Sequence, residues 1–319
     1  MKLSHAVAAY VDYKRALGMR FDTEDCILRA LCKALGDVAM TRVRAESVVA
    51  FINGPHPDRV TPFWAKKHCV LTGFYRFALA RGYAKKSPLP SHVPKLTAPA
   101  FVPHIYSQQE IKRLLDCVPE ACSGVNVAVE PEVYRTLLLL LYGAGLRLGE
   151  ALSIKVADVD LKQAVLCIRE TKFYKTRMVP MCRDLTFALA QYVGGRAIGS
   201  LDQPNATFFR LRNGNKVTHS VAQSAFRRLR SLAGVVHRDH SRHQPRLHDL
   251  RHTAAVHRLI AWYRAGEDLQ TLLPLLATYL GHVNLAATQH YLTFTPDLMH
   301  EASMRFERYA LGTNLGGES

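Results

Sequence analysis

Tyr142-Gly143-Ala144-Gly145-Leu146-Arg147-Leu148-Gly149-Glu150-Ala151-Leu152 is the stretch on which the reading turns. An apolar run from about Glu132 to Tyr142 precedes it and reads as a buried helix. The Gly-Ala-Gly turn stops that helix, and a second, short one runs from Leu148 to about Ile154. Arg147 then stands at a helix start, with Glu150 three residues on and on the same face. Alone, such an Arg–Glu pair is an ordinary surface contact. Its meaning depends on its surroundings.

Upstream, Ser107-Gln108-Gln109-Glu110 forms a capping box before Ile111, Leu114 and Leu115. Downstream, residues 156–181 change to strand patterning, with candidate strands at Val159–Leu161, Ala164–Ile168 and Arg177–Pro180. From about Asp184 the pattern is helical again, interrupted by a loop at Arg212-Asn213-Gly214-Asn215. Before all of this, residues 84–104 contain five prolines and no helical period, a linker signature that divides the chain near residue 95. Residues 1–83 read as short helices: Leu3 to Gly18, Cys26 to Gly36, Arg44 to Ile52 and about Pro62 to Arg81. The expectation is a mainly α protein with a small antiparallel β-sheet. A helical domain covers 1–95, a linker 96–105 and a second domain 106–319.

The chain has 319 residues, 42 of them Lys or Arg against 26 acidic, for a net charge of +16 with His neutral. Residues 1–95 carry +9 and the remainder +7, so both parts can face one polyanion, either nucleic acid or an anionic surface. At 48% hydrophobic residues this is not a disordered composition. No apolar run approaches the ~20 residues that a membrane span needs, and Met1-Lys2-Leu3-Ser4-His5 opens no signal-peptide core. Seven irregularly spaced Cys without a C-x-x-C read as reduced thiols. A cytoplasmic protein whose partner is nucleic acid, with no membrane partner, is the expectation. The basic helices of the N-terminal part fit either a solvated bundle or one laid on a DNA groove.

Four further segments matter. Thr171-Lys172-Phe173-Tyr174-Lys175-Thr176-Arg177 falls between two strand patterns and reads as a basic hairpin. Leu247-His248-Asp249-Leu250-Arg251-His252 puts His248 and Arg251 on one helical face. Leu280-Gly281-His282 and Thr288-Gln289-His290-Tyr291-Leu292 follow, with His282 and Tyr291 nine residues apart. His237, His240 and His243 repeat at a spacing of three, which drifts around a helix among Arg238, Arg242 and Arg246. A basic loop facing DNA fits better there than a metal site.

In this order, the five segments resemble the tyrosine recombinase (phage integrase, Xer-like) family over most of residues 106–310. Ile260-Ala261-Trp262-Tyr263-Arg264-Ala265-Gly266 and Tyr279-Leu280-Gly281-His282 resemble its mobile-element integrase branch. Two features depart from the compact members. Thirty residues lie between Arg251 and His282, and the hairpin reads T-K-F-Y-K-T-R where many members have G-K-G-x-K-x-R.

The resemblance implies a SAM-like helical core-binding domain joined to an α/β catalytic domain. It implies site-specific recombination of double-stranded DNA by a homotetramer on two sites, with accessory directionality proteins as further partners. It casts Tyr291 as nucleophile, giving a 3′-phosphotyrosyl bond. His248 becomes general base, and Arg147, Arg251 and His282 the phosphate ligands. Lys172 becomes the acid for the leaving oxygen, with Lys175 as substitute, and Glu150 holds Arg147 or His248 in place. Thr295–Met299 and Ala302–Leu311 become a C-terminal docking segment, or a helix capping its own core. No cofactor, metal or ATP is implied, and the chain has no Walker motif. A nucleoid-associated location follows from the same reading. Two alternatives remain open: a type IB topoisomerase-like relaxase, and a DNA-binding regulator that has kept the fold without the chemistry.

Overall fold

A computed structural model describes residues 1–55, 60–90, 102–124, 127–169, 176–195, 203–237, 244–282, 288 and 303–304. Those up to Pro90 form one compact unit and those from Val102 onward another.

The first unit packs four helices, α1 (Leu3–Ala16), α2 (Asp22–Leu35), α3 (Ala45–Asn53) and α4 (Pro62–Ala80). Thr61 caps α4 by accepting the Trp64 N–H at 3.0 Å, with Pro62 supplying a preset first turn. Leu3, Leu28, Leu31, Leu71 and Phe74 have no exposed surface and form the core. The approach of α1 to α4 requires Gly73, where a Cβ would meet Tyr10 Oη at 2.5 Å. Tyr83, Ala84 and Leu89 also pack on this core. The chain thus stays attached to its first unit several residues into the proline-rich stretch. Alternating prolines conceal such anchors, because they erase the periodicity that would announce them.

The second unit contains α5 (Gln108–Asp116), α6 (Val118–Ala121), α7 (Pro131–Gly143), α8 (Leu148–Ser153), α9 (Arg183–Gly194), α10 (His219–Leu232), α11 (Asp249–Arg264) and α12 (Leu269–Leu280). Between α8 and α9 lies a sheet of β1 (Val159–Asp160), β2 (Val165–Ile168) and β3 (Arg177–Pro180), antiparallel in the order β1-β2-β3. The register sets Leu166 opposite Val179 and Ile168 opposite Arg177. Leu166, Ile168 and Val179 turn to the core, the alternation expected of a half-buried sheet.

The capping box is present: Ser107 Oγ accepts the Glu110 N–H at 3.2 Å, and Glu110 Oε2 accepts the Ser107 N–H at 2.8 Å. Helix α7 is the central strut, packed on α11, α9, α8 and α6. Its residues Val133, Tyr134, Leu137 and Leu140 have no exposed surface. The long interval between Arg251 and His282 becomes the rest of α11, a turn and α12. These helices share a core of their own around Val256, Leu259, Leu273 and Leu276, with Trp262 and Tyr263 packed at its edge.

Because α7 carries the turn that ends at Arg147, its packing underlies the functional residues. Leu140→Ala is expected to destabilise the fold by about 2–5 kcal/mol. Urea denaturation should show a lower midpoint with an unchanged slope; a midpoint within error of the parent would contradict the assignment.

Candidate active site

Helix α7 ends at Gly143, and Gly145 takes φ +59°, open to glycine and strained for other residues. Any side chain at Gly145 would also collide with Leu280, since a Cβ would sit 2.7 Å from Leu280 Cδ2. This glycine turn therefore seats the start of α8 directly on the end of α12. Arg147 is the residue before α8, and its N–H donates to Glu150 Oε2 at 3.0 Å. Its Nη1 donates to Glu150 Oε1 at 2.7 Å.

The end of α12 organises the cluster. Residues in the last turn of a helix lack intrahelical partners for their carbonyls, which carry the negative end of the helix dipole. Here three consecutive carbonyls each accept from a different arginine. Tyr279 O accepts Arg177 Nε at 3.0 Å, Leu280 O accepts Arg251 Nη2 at 2.7 Å, and Gly281 O accepts Arg147 Nη2 at 3.0 Å. Arg251 also donates through Nη1 to Gly145 O at 2.7 Å. Gly281 is left-handed at φ +69°, and a Cβ there would meet Arg177 Nη1 at 2.7 Å. The glycine of Leu280-Gly281-His282 is thus required twice, by its backbone and by the guanidinium lying against it.

Glu150 is the carboxylate among these cations. Arg177 grips it with both terminal nitrogens, Nη1 to Oε1 at 3.1 Å and Nη2 to Oε2 at 2.9 Å, and Arg251 Nη1 lies 3.8 Å from Oε2. Burial pushes the Glu150 carboxyl up, but hydrogen bonds and charge from Arg177, then Arg147, override it and bring it down to about 2. Three guanidiniums on one ionised carboxylate leave an excess of positive charge. Exposure differs sharply among them: the Arg147 side chain is 37% exposed, Arg177 12% and Arg251 2%. Arg147 is the one that faces outward.

Three imidazoles border this charge. His248 occupies the position just before α11, one residue ahead of the helix proper and three ahead of Arg251. Its ring meets that of His252 edge-on, with centroids 4.9 Å apart. Burial lowers the His248 pKa, and the charges of Arg251 and Arg246 lower it further. Burial and then His248 take His252 down to about 4. Burial, then Arg251 and Arg147, take His282 down to about 4 as well. His282 follows the left-handed Gly281, and its N–H closes the helix end on Ala277 O at 2.9 Å. Its Nδ1 lies 2.7 Å from the Oγ1 of the fully buried Thr288. At neutral pH these rings are neutral and can accept or donate through a chosen nitrogen.

Of the residues singled out in the sequence, Arg147, Glu150, His248, Arg251 and His282 converge here. Lys172, its alternative Lys175 and Tyr291 lie outside the described residues. So do residues 238–243 of the histidine-rich stretch, and the C-terminal candidates apart from Ser303 and Met304. Among the described residues no group of three or more His, Cys, Asp or Glu is placed to hold a metal.

The sequence reading missed three contributors. Arg177 read as a hairpin charge, although its partners are 27 residues back and 102 residues ahead. Thr288 stood in the tyrosine segment without a role. Tyr106 lay two residues beyond the proline-rich stretch. It is fully buried, donates from its hydroxyl to Arg246 O at 2.9 Å, and its N–H donates to Thr253 Oγ1 at 3.0 Å. It thereby holds the entry to α11 that carries His248 and Arg251. A lone aromatic beside a capping box was the one available signal.

The family model described as the phage integrase family matches residues 105–296. The chain is 36% identical over 306 residues to the integrase/recombinase y4rB of Sinorhizobium fredii, spanning 95% of this chain and 96% of that one. It is 29% identical over 254 residues to the tyrosine recombinase XerC of Oceanobacillus iheyensis, spanning 78% and 75%. The fold is similar to that of the Tn1549 transposon integrase solved with a circular intermediate DNA, with a TM-score of 0.68 at 18% identity over 96% of this chain and 99% of that one.

Two outcomes follow from this geometry. Gly281→Ala should destabilise the protein by roughly 1–3 kcal/mol, through the strained backbone and the displaced Arg177; a variant melting with the parent would contradict the seating. His252 and His282, near 4 in the fold, sit near the ordinary ~6.5 when unfolded, so the unfolded chain binds more protons between those values. Stability should therefore fall as pH drops from about 6.5 to about 4, and His282→Asn should flatten that decline. An equal decline in both proteins would contradict the placement of His282.

Proposed function

The chain belongs to the phage integrase family, and on that premise we propose that it is a tyrosine site-specific DNA recombinase whose nucleophile is Tyr291. One observation carries the reading to this chain's own residues: three guanidiniums share a single carboxylate beside neutral imidazoles, with Arg147 open to the surface. Such a cluster suits an anion that gains charge during reaction, as a phosphodiester does when a fifth oxygen attacks.

The Tyr291 Oη attacks the phosphorus while the bond from phosphorus to the 5′-oxygen breaks. A phenol with an ordinary pKa near ~10 must shed its proton as it attacks. His248, held neutral by burial and by Arg251, takes that proton. Arg147 forks onto the non-bridging oxygens, and the charge of Arg251 lies beneath the same surface. His282 donates through Nε2, which requires that Thr288 donate its hydroxyl proton to Nδ1. Lys172, or Lys175 in its place, protonates the departing 5′-oxygen. The 3′-phosphotyrosyl bond conserves the diester linkage, so a 5′-hydroxyl from another strand can reverse the step without ATP.

In this reading residues 1–95 bind DNA, 96–105 link, and 106–319 carry catalysis and a C-terminal docking segment. A homotetramer exchanges strands between two sites of a mobile element, with accessory proteins biasing direction. It works on DNA in the cytoplasm, at the nucleoid. No helix among the described residues is long and apolar enough to cross a membrane.

Tyr291→Phe should abolish covalent adduct formation while leaving DNA binding in place. Adducts in that variant would refute the nucleophile. Arg147→Lys should slow cleavage by about 10²–10³-fold, because a point charge cannot replace a fork. Paired sites on one plasmid distinguish recombination from relaxation: exchanged products support the proposal, and relaxed circles alone favour the topoisomerase alternative.

A further inference from the structure

Arg177 differs from the other two arginines in where its donors go. Nε is spent on Tyr279 O, and both terminal nitrogens are spent on Glu150 in a two-pronged pair. Its side chain is 12% exposed, between 37% for Arg147 and 2% for Arg251, and it lies against the space where Gly281 lacks a Cβ. It comes from β3, held opposite Ile168 in the register of the hairpin. Arg251 is deeper still, but its terminal nitrogens go to the Gly145 and Leu280 carbonyls, so Arg177 is the arginine that gives both terminal nitrogens to the carboxylate.

Its effect falls on Glu150. The carboxylate has the same fork geometry and the same sign as a phosphate, so it competes for the arginines that a phosphate would use. Its Oε1 takes Arg147 Nη1 at 2.7 Å, and Oε2 lies 3.8 Å from Arg251 Nη1. We propose that Arg177 is a positioning residue that neutralises Glu150, so that the charges of Arg147 and Arg251 remain available to the anion bound at the cluster. The inference rests on the phosphoryl-transfer reading above. Glu150 is then kept for its backbone bond to Arg147 and its grip on β3, with its charge cancelled by a cation that never meets the substrate. Lysine would supply the charge without the fork.

The test measures single-turnover adduct formation by the full chain on a nicked duplex bearing the sequence to which the parent protein attaches, alongside DNA affinity and melting temperature. Arg177→Met should slow adduct formation by about 100-fold with DNA affinity nearly unchanged. Adding Glu150→Gln to it should recover about 10-fold, because the competing carboxylate is gone, although Glu150→Gln alone slows the parent. A double variant no faster than Arg177→Met, or an Arg177→Met protein as fast as the parent, overturns the proposal. Should Arg177→Met fail to fold, Arg177→Lys takes its place. Glu150→Gln must then cost the Lys variant less than it costs the parent, and equal costs overturn the proposal. A parent protein that forms no adduct on any DNA is a different result, which refutes the recombinase reading itself.

Discussion

The C-terminal end of α12 is the constraint around which the second unit is arranged. Three carbonyls in a row, at residues 279, 280 and 281, receive three guanidiniums that arrive from β3, α11 and the start of α8. Like-charged side chains do not gather without a reason. Here the helix dipole, the unused carbonyls and the Glu150 carboxylate together offset their repulsion. Once they are gathered, the surrounding chemistry is set. Burial first, and then the neighbouring positive charges, keep the imidazoles of His248, His252 and His282 neutral, while the arginines keep Glu150 ionised against its burial.

The same arrangement accounts for residues that have no chemistry of their own. Gly145 and Gly281 exist to let α12 come close, one against Leu280 and the other against Arg177. Tyr106 anchors the entry to α11 from the far end of the domain. Thr288, three residues before Tyr291 in the sequence, fixes the His282 ring through one hydroxyl. The site is therefore a property of packing between distant segments, and the helix α7 on which they lean matters to it as much as any named ligand.

Much of this was legible in the sequence, and the boundary is physical. Periodicity exposed α7, the strands and the first four helices, because each buries one face. The Ser107–Glu110 box announced α5 through side chains that carry their own local signal. Arg147, His248, Arg251 and His282 were legible through order and spacing. Arg177 was not: a basic residue at a hairpin end looks solvated, and its acceptors are a carboxylate and a carbonyl that only the tertiary fold brings near. Backbone carbonyls leave no trace in sequence, so the seat at the end of α12 was invisible. The proline-rich stretch concealed one anchor, Leu89 on the first core, and Tyr106 in the other core lies two residues beyond it with no periodic neighbours to mark it.

A covalent step at Tyr291 is the chemistry proposed for this cluster. The most direct measurement is to trap the protein on DNA, digest both, and identify the peptide and the DNA end that remain joined. A single linkage is expected, between Tyr291 and a 3′-phosphate, with a free 5′-hydroxyl on the other end. A linkage at another residue, a 5′-phosphate attachment, or no linkage at all would contradict it.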